Sequence, residues 1–303
     1  MKSQFNEQDG KKIFEKLLVC YDKNVVLEWQ GKVIKDMNRL LEKYNIISFE
    51  INPDSYMGIV AKCIDKNNHE KYIKIIPPML ERYDFETKTL KNLPEKVRCK
   101  IYEINPDSNS IVMEKINPGT KAEFYQNKTL YKKLFNDLSN RKTEKIDLST
   151  FLTFSEVVER DYKKYKKVLP RNDIAENLYL KFQEVYSEVE KIGPKILLHG
   201  DVYKNNALLS DNCIKIIDPL GFVAPFIMEL VSICAYEMFY NEEKTNKEIL
   251  NDFKDFFNEF TDAKTYEKAL FCQLVKLYIP SLFEANDGGI RAAKWLDIIN
   301  DLY

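Results

Sequence analysis

The second half of this 303-residue chain has the pattern of helices everywhere except in one short segment, residues 196–218. Two apolar runs in that segment flank Asp211-Asn212, a pair that favours tight turns, so the pattern predicts a β-hairpin. Asp201, Asn206 and Asp218 lie near the ends of these runs. The fold must therefore embed a hairpin among helices, and such a hairpin can hold three oxygen-bearing side chains around one small volume.

The first half of the chain predicts helices followed by a small sheet. Residues up to about 45 repeat apolar side chains at the three-to-four spacing of one helix face. The segments that follow are short, rich in Ile, Val, Tyr and Phe, and separated by turn-forming clusters. We expect strands over 46–52, 56–64, 71–76, 97–104 and 109–115, with one helix over 79–93.

After Pro118-Gly119 helical patterns dominate. We expect helices over 121–141, 152–167, 173–192, 226–240, 244–260, 264–278 and 290–302. One of them, 173–192, should bury a stripe made of Leu178, Phe182, Val185, Val189 and Ile192.

The predicted fold class is therefore α+β, with a bilobal organisation. Residues 1–115 form a small antiparallel-sheet lobe with one inserted helix, and residues 116–120 form a hinge. Residues 121–303 form a larger, mostly helical lobe that contains the hairpin 196–218. Clefts between lobes are common ligand sites, so we expect the chemistry of the protein there.

Charge and hydropathy argue against two classes of partner. Lys and Arg number 46 and Asp and Glu 47, so a net charge of −1 provides no basic field for nucleic acid. The longest uncharged stretch, Pro219–Met228, is far shorter than the about 20 residues of a membrane helix. Charged residues near the N-terminus interrupt any signal peptide. We expect a cytoplasmic protein that is a monomer or a weak dimer.

Cysteine and histidine offer little metal chemistry. The six cysteines show no CxxC spacing and are expected to stay reduced and inert. His69 and His199 are the only histidines, too few for a conventional zinc site. Any bound metal should therefore be a hard cation held by oxygen atoms.

The residues of the hairpin segment match the needs of phosphoryl transfer. That reaction uses a carboxylate that accepts the proton of the attacking hydroxyl, and oxygen ligands that hold Mg²⁺ on the nucleotide phosphates. The run His199-Gly200-Asp201, with Asn206 five positions after Asp201 and Asp218 twelve positions further on, resembles the catalytic and metal motifs of the aminoglycoside phosphotransferases. Ile217-Asp218-Pro219-Leu220-Gly221 is similar to the form found in aminoglycoside/hydroxyurea antibiotic-resistance kinases, which include streptomycin 6-phosphotransferases.

Two segments of the first half carry the same resemblance. Residues 72–78 with 86–90 resemble the nucleotide-binding lysine strand and the following helix of that group, and 111–120 resembles its hinge. The resemblance covers roughly residues 45–240 and implies a kinase-like fold with ATP or GTP and Mg²⁺ as cofactors.

The resemblance also implies a role for each matching position. Asp201 would be the catalytic base, Asn206 and Asp218 the Mg²⁺ ligands, and His199 a tether of the loop. Lys74 would contact the α- and β-phosphates while Glu86 orients it through an ion pair. The adenine edge would meet the carbonyl of Glu114 and the N–H of Ile116, next to a gatekeeper, Met113. Taken alone, Lys74 and Glu86 would be ordinary solvated side chains, and their order ahead of the hairpin is what favours the functional role.

Two departures from the pattern leave alternatives open. No Gly-x-Gly-x-x-Gly is present, and the candidate nucleotide-covering turn, residues 54–58, has one glycine. The resembling proteins carry aspartates seven and eleven residues after the metal aspartate, where this chain has Pro225 and Glu229. A weakened loop would be compatible with a nucleotide-binding pseudoenzyme.

The acceptor is the least defined part of the prediction. An aminoglycoside is a polycation and needs carboxylates around it, for which Glu237, Glu284 and Asp287 are candidates, although each can equally be a surface acid. The small-molecule acceptor is therefore expected to be cationic. A kinase for a metabolite such as a sugar, choline or a hydroxy-amino acid remains an alternative.

Overall fold

The computed structural model describes residues 4–53, 55, 58–140, 146–168, 172–282 and 289–303. The chain divides into two compact units. The first comprises Met1–Thr120 and Leu208–Ile217, and the second comprises Lys121–Ala207 and Asp218–Tyr303.

The first unit begins with two helices, α1 (Glu7–Cys20) and α2 (Lys23–Lys43). Each begins at a side chain that accepts hydrogen bonds from free backbone N–H groups of the first turn: Asn6 caps α1 and Asp22 caps α2. The periodic apolar face seen in the sequence packs both helices against the sheet that follows.

That sheet is five-stranded and antiparallel, in the order β1-β2-β3-β5-β4. Its strands are β1 (Ile46–Ile51), β2 (Ile59–Asp65), β3 (Glu70–Ile75), β4 (Ile101–Asn105) and β5 (Ser110–Glu114). Helix α3 (Tyr83–Asn92) is inserted between β3 and β4.

The two faces of this sheet bury different clusters, because successive side chains of a strand point to opposite faces. Val112 joins the cluster under α1 and α2, which includes Trp29 and Met37. Its neighbours Ile111 and Met113 join a second cluster that contains Leu90 of α3. The sheet thereby fixes α3 relative to β3 and β5.

The remaining strands are β6 (Pro118–Lys121), β7 (Lys195–Leu198), β8 (Ala207–Ser210), β9 (Cys213–Ile216) and β10 (Phe222–Pro225). β6, β8 and β9 form one sheet, with the predicted hairpin turn at Asp211, whose φ is 47°. β7 and β10 form a separate antiparallel pair.

Seven helices make up most of the second unit: α4 (Lys128–Ser139), α5 (Phe154–Val168), α6 (Asp173–Val189), α7 (Ile227–Tyr240), α8 (Asn246–Phe256), α9 (Ala263–Ser281) and α10 (Ile290–Leu302). α7 and α9 lie at its centre and are buried on nearly all sides. α9 contacts α5, α6, α7 and α10. A helix that is buried on nearly all sides requires such a central position.

The predicted α+β fold class, with a small antiparallel sheet and a mostly helical remainder, is confirmed. Strands β6 and β10 were not expected, because β6 begins at Pro118 and β10 ends at Pro225, and proline disfavours strands. The buried stripe of α6 was also predicted incorrectly: Phe182 and Val189 are buried, but Ala175, Tyr179 and Tyr186 complete the stripe. Ile192 is exposed because α6 ends at Val189. Among the described residues no helix is both long enough and apolar enough to cross a membrane.

Met37 provides a test of the core that joins α2 to the sheet. We expect Met37→Ala to lower the free energy of unfolding by about 2–5 kcal/mol, because it removes a fully buried side chain and leaves a cavity. Urea unfolding followed by Trp29 fluorescence, in a Trp295→Phe background, reports on this core. Lys35→Ala, on the exposed side of the same helix, is the control. Equal stability of the two variants would contradict this packing.

Candidate active site

The first unit places Lys74 and Glu86 in a buried ion pair. Lys74 lies in β3 between Val60 and Ile111 of the neighbouring strands. Its Nζ donates to both carboxylate oxygens of Glu86 in α3, at 2.7 and 2.9 Å. The two side chains are 3% and 0% exposed. Because an isolated charge at such depth is very unfavourable, each group holds the other in place.

A second cation, Arg82, shares the Glu86 carboxylate. The Nε of Arg82 lies 3.3 Å from Oε2 of Glu86, four residues later in the chain. The sequence analysis missed this residue, although the four-residue spacing on a helix is a signal for such a pair. Glu86 therefore keeps one cationic neighbour even when Lys74 contacts another anion.

The predicted hinge residues lie at and after the end of β5. Met113 is buried, with its sulfur 3.7 Å from Sγ of Cys99, and Ile116 is also buried. The Glu114 carboxylate accepts hydrogen bonds from Nζ of Lys215 and the backbone N–H of Lys100, both at 2.7 Å. The side chain of Glu114 thus fixes the strand end, so a nucleotide base would meet only its backbone.

The candidate nucleotide-covering turn is described in part. Asp54, Tyr56 and Met57 lie outside the described residues. Ser55 donates from Oγ to the carbonyl of Gly58 at 2.7 Å, and Gly58 has a φ of 122°. A Cβ at position 58 would lie 2.2 Å from the carbonyl oxygen of Ile75. Only glycine fits at this point of the turn.

In the second unit the β7–β10 ladder brings two distant motif segments together. Leu198 pairs with Phe222, so the residues that follow β7 and those that precede β10 lie at the same end of the ladder. The N–H groups of Leu220 and Gly221 donate to the carbonyl of His199 at 2.9 and 3.2 Å. The loop after β7 is thereby tied to the segment that begins with Asp218.

Gly200 makes the turn into this loop possible. Its φ is 79°, in the left-handed region that favours glycine. A Cβ at this position would lie 2.4 Å from a ring carbon of Phe222. Any other residue would push the loop away from β10.

The Asp201 carboxylate accepts hydrogen bonds on both oxygens. Asn206 donates from Nδ2 to Oδ2 of Asp201 at 2.9 Å and to its carbonyl oxygen at 3.0 Å. Tyr236 donates from its hydroxyl to Oδ1 at 3.1 Å. Asp201 itself is half-buried. The predicted base is therefore held in one orientation, and Tyr236 is a contributor that the sequence analysis missed.

The charges of Asp218 and Asp201 act on the same side chain, Tyr203. Burial raises the pKa of Tyr203 to about 12, and the charges of Asp201 and Asp218 add to the increase. The amide oxygen of Asn206 and the carboxylate of Asp218 are hard donors of the type Mg²⁺ prefers. Within the described ranges no group of three His, Cys, Asp or Glu side chains forms a metal cluster. Two protein ligands suit a metal whose other ligands are phosphate oxygens and water.

His199 and Glu229 hold the loop in position through hydrogen bonds to its backbone. His199 is fully buried, and its Nδ1 accepts a hydrogen bond from the backbone N–H of Asp201 at 3.3 Å. Glu229, in the first turn of α7, accepts from the N–H of His199 at 2.7 Å and from that of Gly200 at 3.1 Å. The glutamate that departs from the family pattern thus still binds the loop. Pro225 lies in β10, opposite Lys195.

The acceptor acids predicted from the sequence have different positions. Glu284 and Asp287 lie outside the described residues. Glu237 is buried in α7, next in sequence to Tyr236. Burial raises the pKa of Glu237, and the charge of Lys204 opposes this increase. Lys204 also lies 3.3 Å from the carboxylate of Glu123.

A stack of aromatic rings lies next to the Asp201 side chain. The rings of Tyr203 and Tyr236 stack with centroids 3.9 Å apart, and Tyr240 lies parallel to Tyr236 at 6.2 Å. Trp295 meets Tyr236 edge-on at 5.8 Å. Tyr236 and Tyr240 are four residues apart on a helix, and this spacing is the sequence pattern from which their contact could have been predicted. The stack thus provides apolar ring surface next to Asp201, and Glu237 and Glu123 provide negative charge near Lys204.

The Glu229 anchor is directly testable. We expect Glu229→Ala to lower the free energy of unfolding by more than about 2 kcal/mol, because it leaves two buried N–H groups without an acceptor. Glu229→Gln should have a smaller effect. Hydrogen exchange at the amides of His199 and Gly200 should accelerate in both variants. Ser232→Ala, buried in the same helix, is the control, and slow exchange retained in Glu229→Ala would disprove the anchor.

Comparison with known proteins indicates what this arrangement resembles. No protein-family model and no curated protein matches the sequence. Among solved structures, a choline kinase from Streptococcus pneumoniae superposes with a TM-score of 0.67 at 14% identity, over 89% of this chain and 99% of that chain. A choline/ethanolamine kinase family protein from Mesorhizobium loti gives 0.62 at 13% identity, over 87% and 89%.

An aminoglycoside phosphotransferase in a ternary complex with AMP-PNP and hygromycin B gives a TM-score of 0.62 at 11% identity, over 86% of this chain and 96% of that chain. At such identities the likeness concerns the fold. The kinase-like fold implied by the sequence motifs is confirmed: this chain has the fold that the choline kinases and the aminoglycoside phosphotransferases share.

Proposed function

We propose that this protein is a nucleotide-dependent phosphotransferase that moves the γ-phosphate of ATP or GTP to a hydroxyl group of a small, cationic acceptor. The observation that supports this most strongly is the Asp201 carboxylate, oriented by hydrogen bonds to both of its oxygens on a loop that Glu229 anchors. A cytoplasmic location, where ATP and GTP are supplied, is part of the proposal.

Asp201 would accept the proton of the acceptor hydroxyl as its oxygen attacks the γ-phosphorus. Asn206 and Asp218 would hold Mg²⁺, which when bound neutralises charge on the phosphate oxygens. Because Asn206 uses its amide nitrogen to bind Asp201, its amide oxygen is the atom left to face a cation. The Asn206 side chain would then both hold the Asp201 base in position and bind the metal.

Lys74 would supply the positive charge for the α- and β-phosphates of the nucleotide. Glu86, itself bound by Arg82, would hold the Lys74 ammonium group in position. The backbone of Glu114 and Ile116, next to Met113, would bind the edge of the nucleobase.

The alternative of a catalytically inactive nucleotide-binding protein is less well supported. It rested on the replacement of the usual aspartates by Pro225 and Glu229. Glu229 nevertheless accepts two hydrogen bonds from the loop, so the replacement leaves the loop anchored. An anchored loop with an oriented base favours an active enzyme.

The sequence resemblance makes an aminoglycoside the first acceptor class, with streptomycin the first compound to test. A second candidate is a small amino alcohol such as choline, and the aromatic stack favours it. The faces of tyrosine and tryptophan rings attract quaternary ammonium groups. Tyr203 and Tyr240 provide such rings next to Tyr236, whose hydroxyl contacts Asp201.

Asp201→Asn tests the catalytic assignment. We expect turnover to fall about 10²–10⁴-fold, the usual loss when a general base is removed, while nucleotide affinity changes only a few-fold. ADP or GDP release would be measured with ATP and GTP against a panel of acceptors that includes streptomycin, choline and a neutral sugar. Asp211→Asn, in the exposed hairpin turn, is the matched control. Near-native turnover in Asp201→Asn would refute the proposal.

Glu237→Gln tests whether the acceptor is held by charge. We expect the KM of a cationic acceptor to rise about tenfold, with a smaller effect on kcat, because the contact is equal in the ground and transition states. Added salt should weaken wild-type binding of that acceptor. Glu243→Gln, exposed just beyond the same helix, is the control. An equal rise for a neutral acceptor would show that Glu237 does not act through its charge.

A further inference from the structure

Tyr236 reaches Asp201 from a helix that is remote in sequence. It belongs to α7, thirty-five residues after the proposed base, and its hydroxyl donates to Oδ1 of Asp201 at 3.1 Å. The opposite oxygen, Oδ2, accepts from Asn206. A carboxylate bonded on both oxygens cannot rotate about its Cβ–Cγ bond without breaking one of these bonds.

The position of the Tyr236 ring is itself fixed. One face stacks on Tyr203 at 3.9 Å with an interplanar angle of 18°, and Trp295 packs edge-on at 5.8 Å. The side chain is almost fully buried. Aromatic pairs of this kind restrict ring motion, so the hydroxyl is held at one place.

The phenol also remains a donor. Burial and the negative charge of Asp201 raise the pKa of Tyr236 well above its ordinary value. The group therefore keeps its proton and bonds to the carboxylate anion, an arrangement stronger than a bond between neutral groups.

We propose that Tyr236 is a positioning residue for phosphoryl transfer, whose hydroxyl holds the Asp201 carboxylate in the orientation that accepts the proton of the attacking hydroxyl. This role rests on the proposed function. No chemical bond to Tyr236 changes during the reaction: the proton passes from the attacking hydroxyl to Asp201, and the phenol proton stays on Tyr236.

Tyr236→Phe removes the hydrogen bond and keeps the ring. We expect kcat to fall about tenfold to a hundredfold, the equivalent of one charge-assisted hydrogen bond, with the KM for ATP within about twofold. The reaction is the release of ADP from Mg·ATP, with water as acceptor and with any panel compound that is phosphorylated. Tyr179→Phe is the matched control, since it removes the hydroxyl of an equally buried tyrosine that stacks on Tyr162 at 3.9 Å and whose hydroxyl partner is Gln183.

Two further variants separate positioning from mere packing. Replacement of Tyr236 by 4-aminophenylalanine restores an N–H donor at the same place and should recover most of kcat, and it also keeps the assignment testable if Tyr236→Phe fails to fold. In an Asp201→Asn background, followed with radiolabelled ATP, Tyr236→Phe should have little additional effect.

The assignment is wrong if Tyr236→Phe and Tyr179→Phe lose the same activity, if the aminophenylalanine variant is as slow as Tyr236→Phe, or if the full loss persists without Asp201. Near-native turnover of Asp201→Asn alone would instead refute the proposed function, and so would absence of ADP release from the wild-type protein with water and every panel compound. These outcomes distinguish failure of the proposed function from failure of the Tyr236 assignment.

Discussion

Glu229 carries a carboxylate at the fully buried base of the catalytic loop, where such a group is tolerated only if hydrogen bonds replace its lost hydration. The N–H groups of His199 and Gly200 supply them, and these two groups need an acceptor as much as Glu229 needs donors. These two hydrogen bonds determine the position of Asp201, because Asp201 is the next residue and its own N–H donates to Nδ1 of His199. The β7–β10 ladder then places Asp218 at the same end of the unit. The positions proposed for the base and for Asp218 therefore depend on the Glu229 carboxylate and on the β7–β10 ladder.

The first unit also contains a buried charge whose lost hydration a partner must replace, and here the charge is positive. Lys74 is a buried cation that Glu86 neutralises, and Arg82 adds a second charge to that carboxylate. Replacing a buried ion pair by apolar side chains often costs nothing or even stabilises a protein, so a pair of this kind is poorly explained by stability alone. The proposed function would account for it, because a nucleotide phosphate requires an ammonium group at a defined place. In the first unit the buried ion pair is thus an argument for the proposal that does not depend on the sequence motif.

The parts of the fold and site that the sequence predicts are those encoded locally. Strand alternation, helical periodicity and the Asp211-Asn212 turn each depend on neighbouring residues, and the elements they predict are present. The nearness of Asn206 to Asp218 was also readable, because the β8–β9 hairpin brings its ends together, whereas the β7–β10 ladder that ties His199 to the segment after Asp218 was not predicted. Tyr236 could not be assigned in this way, since its contact with Asp201 exists only after α7 packs beside the loop. The same holds for Glu229, where the pattern indicated a departure and only the tertiary contacts show that a longer side chain still reaches the loop.

The charges around the base bear on the size of the acceptor. Glu123 and Glu237 bring two negative charges and Lys204 one positive charge, so the three groups leave a net charge of −1 when all are ionised. A polycation needs several compensating carboxylates, whereas an acceptor with a single positive charge needs one and can obtain the rest of its binding free energy from ring faces. Tyr203, which is partly exposed, and Tyr240, which is 40% exposed, offer such rings next to Tyr236. Of the two acceptors considered in the proposed function, the amino alcohol therefore makes the smaller demand on the charge that these described residues supply.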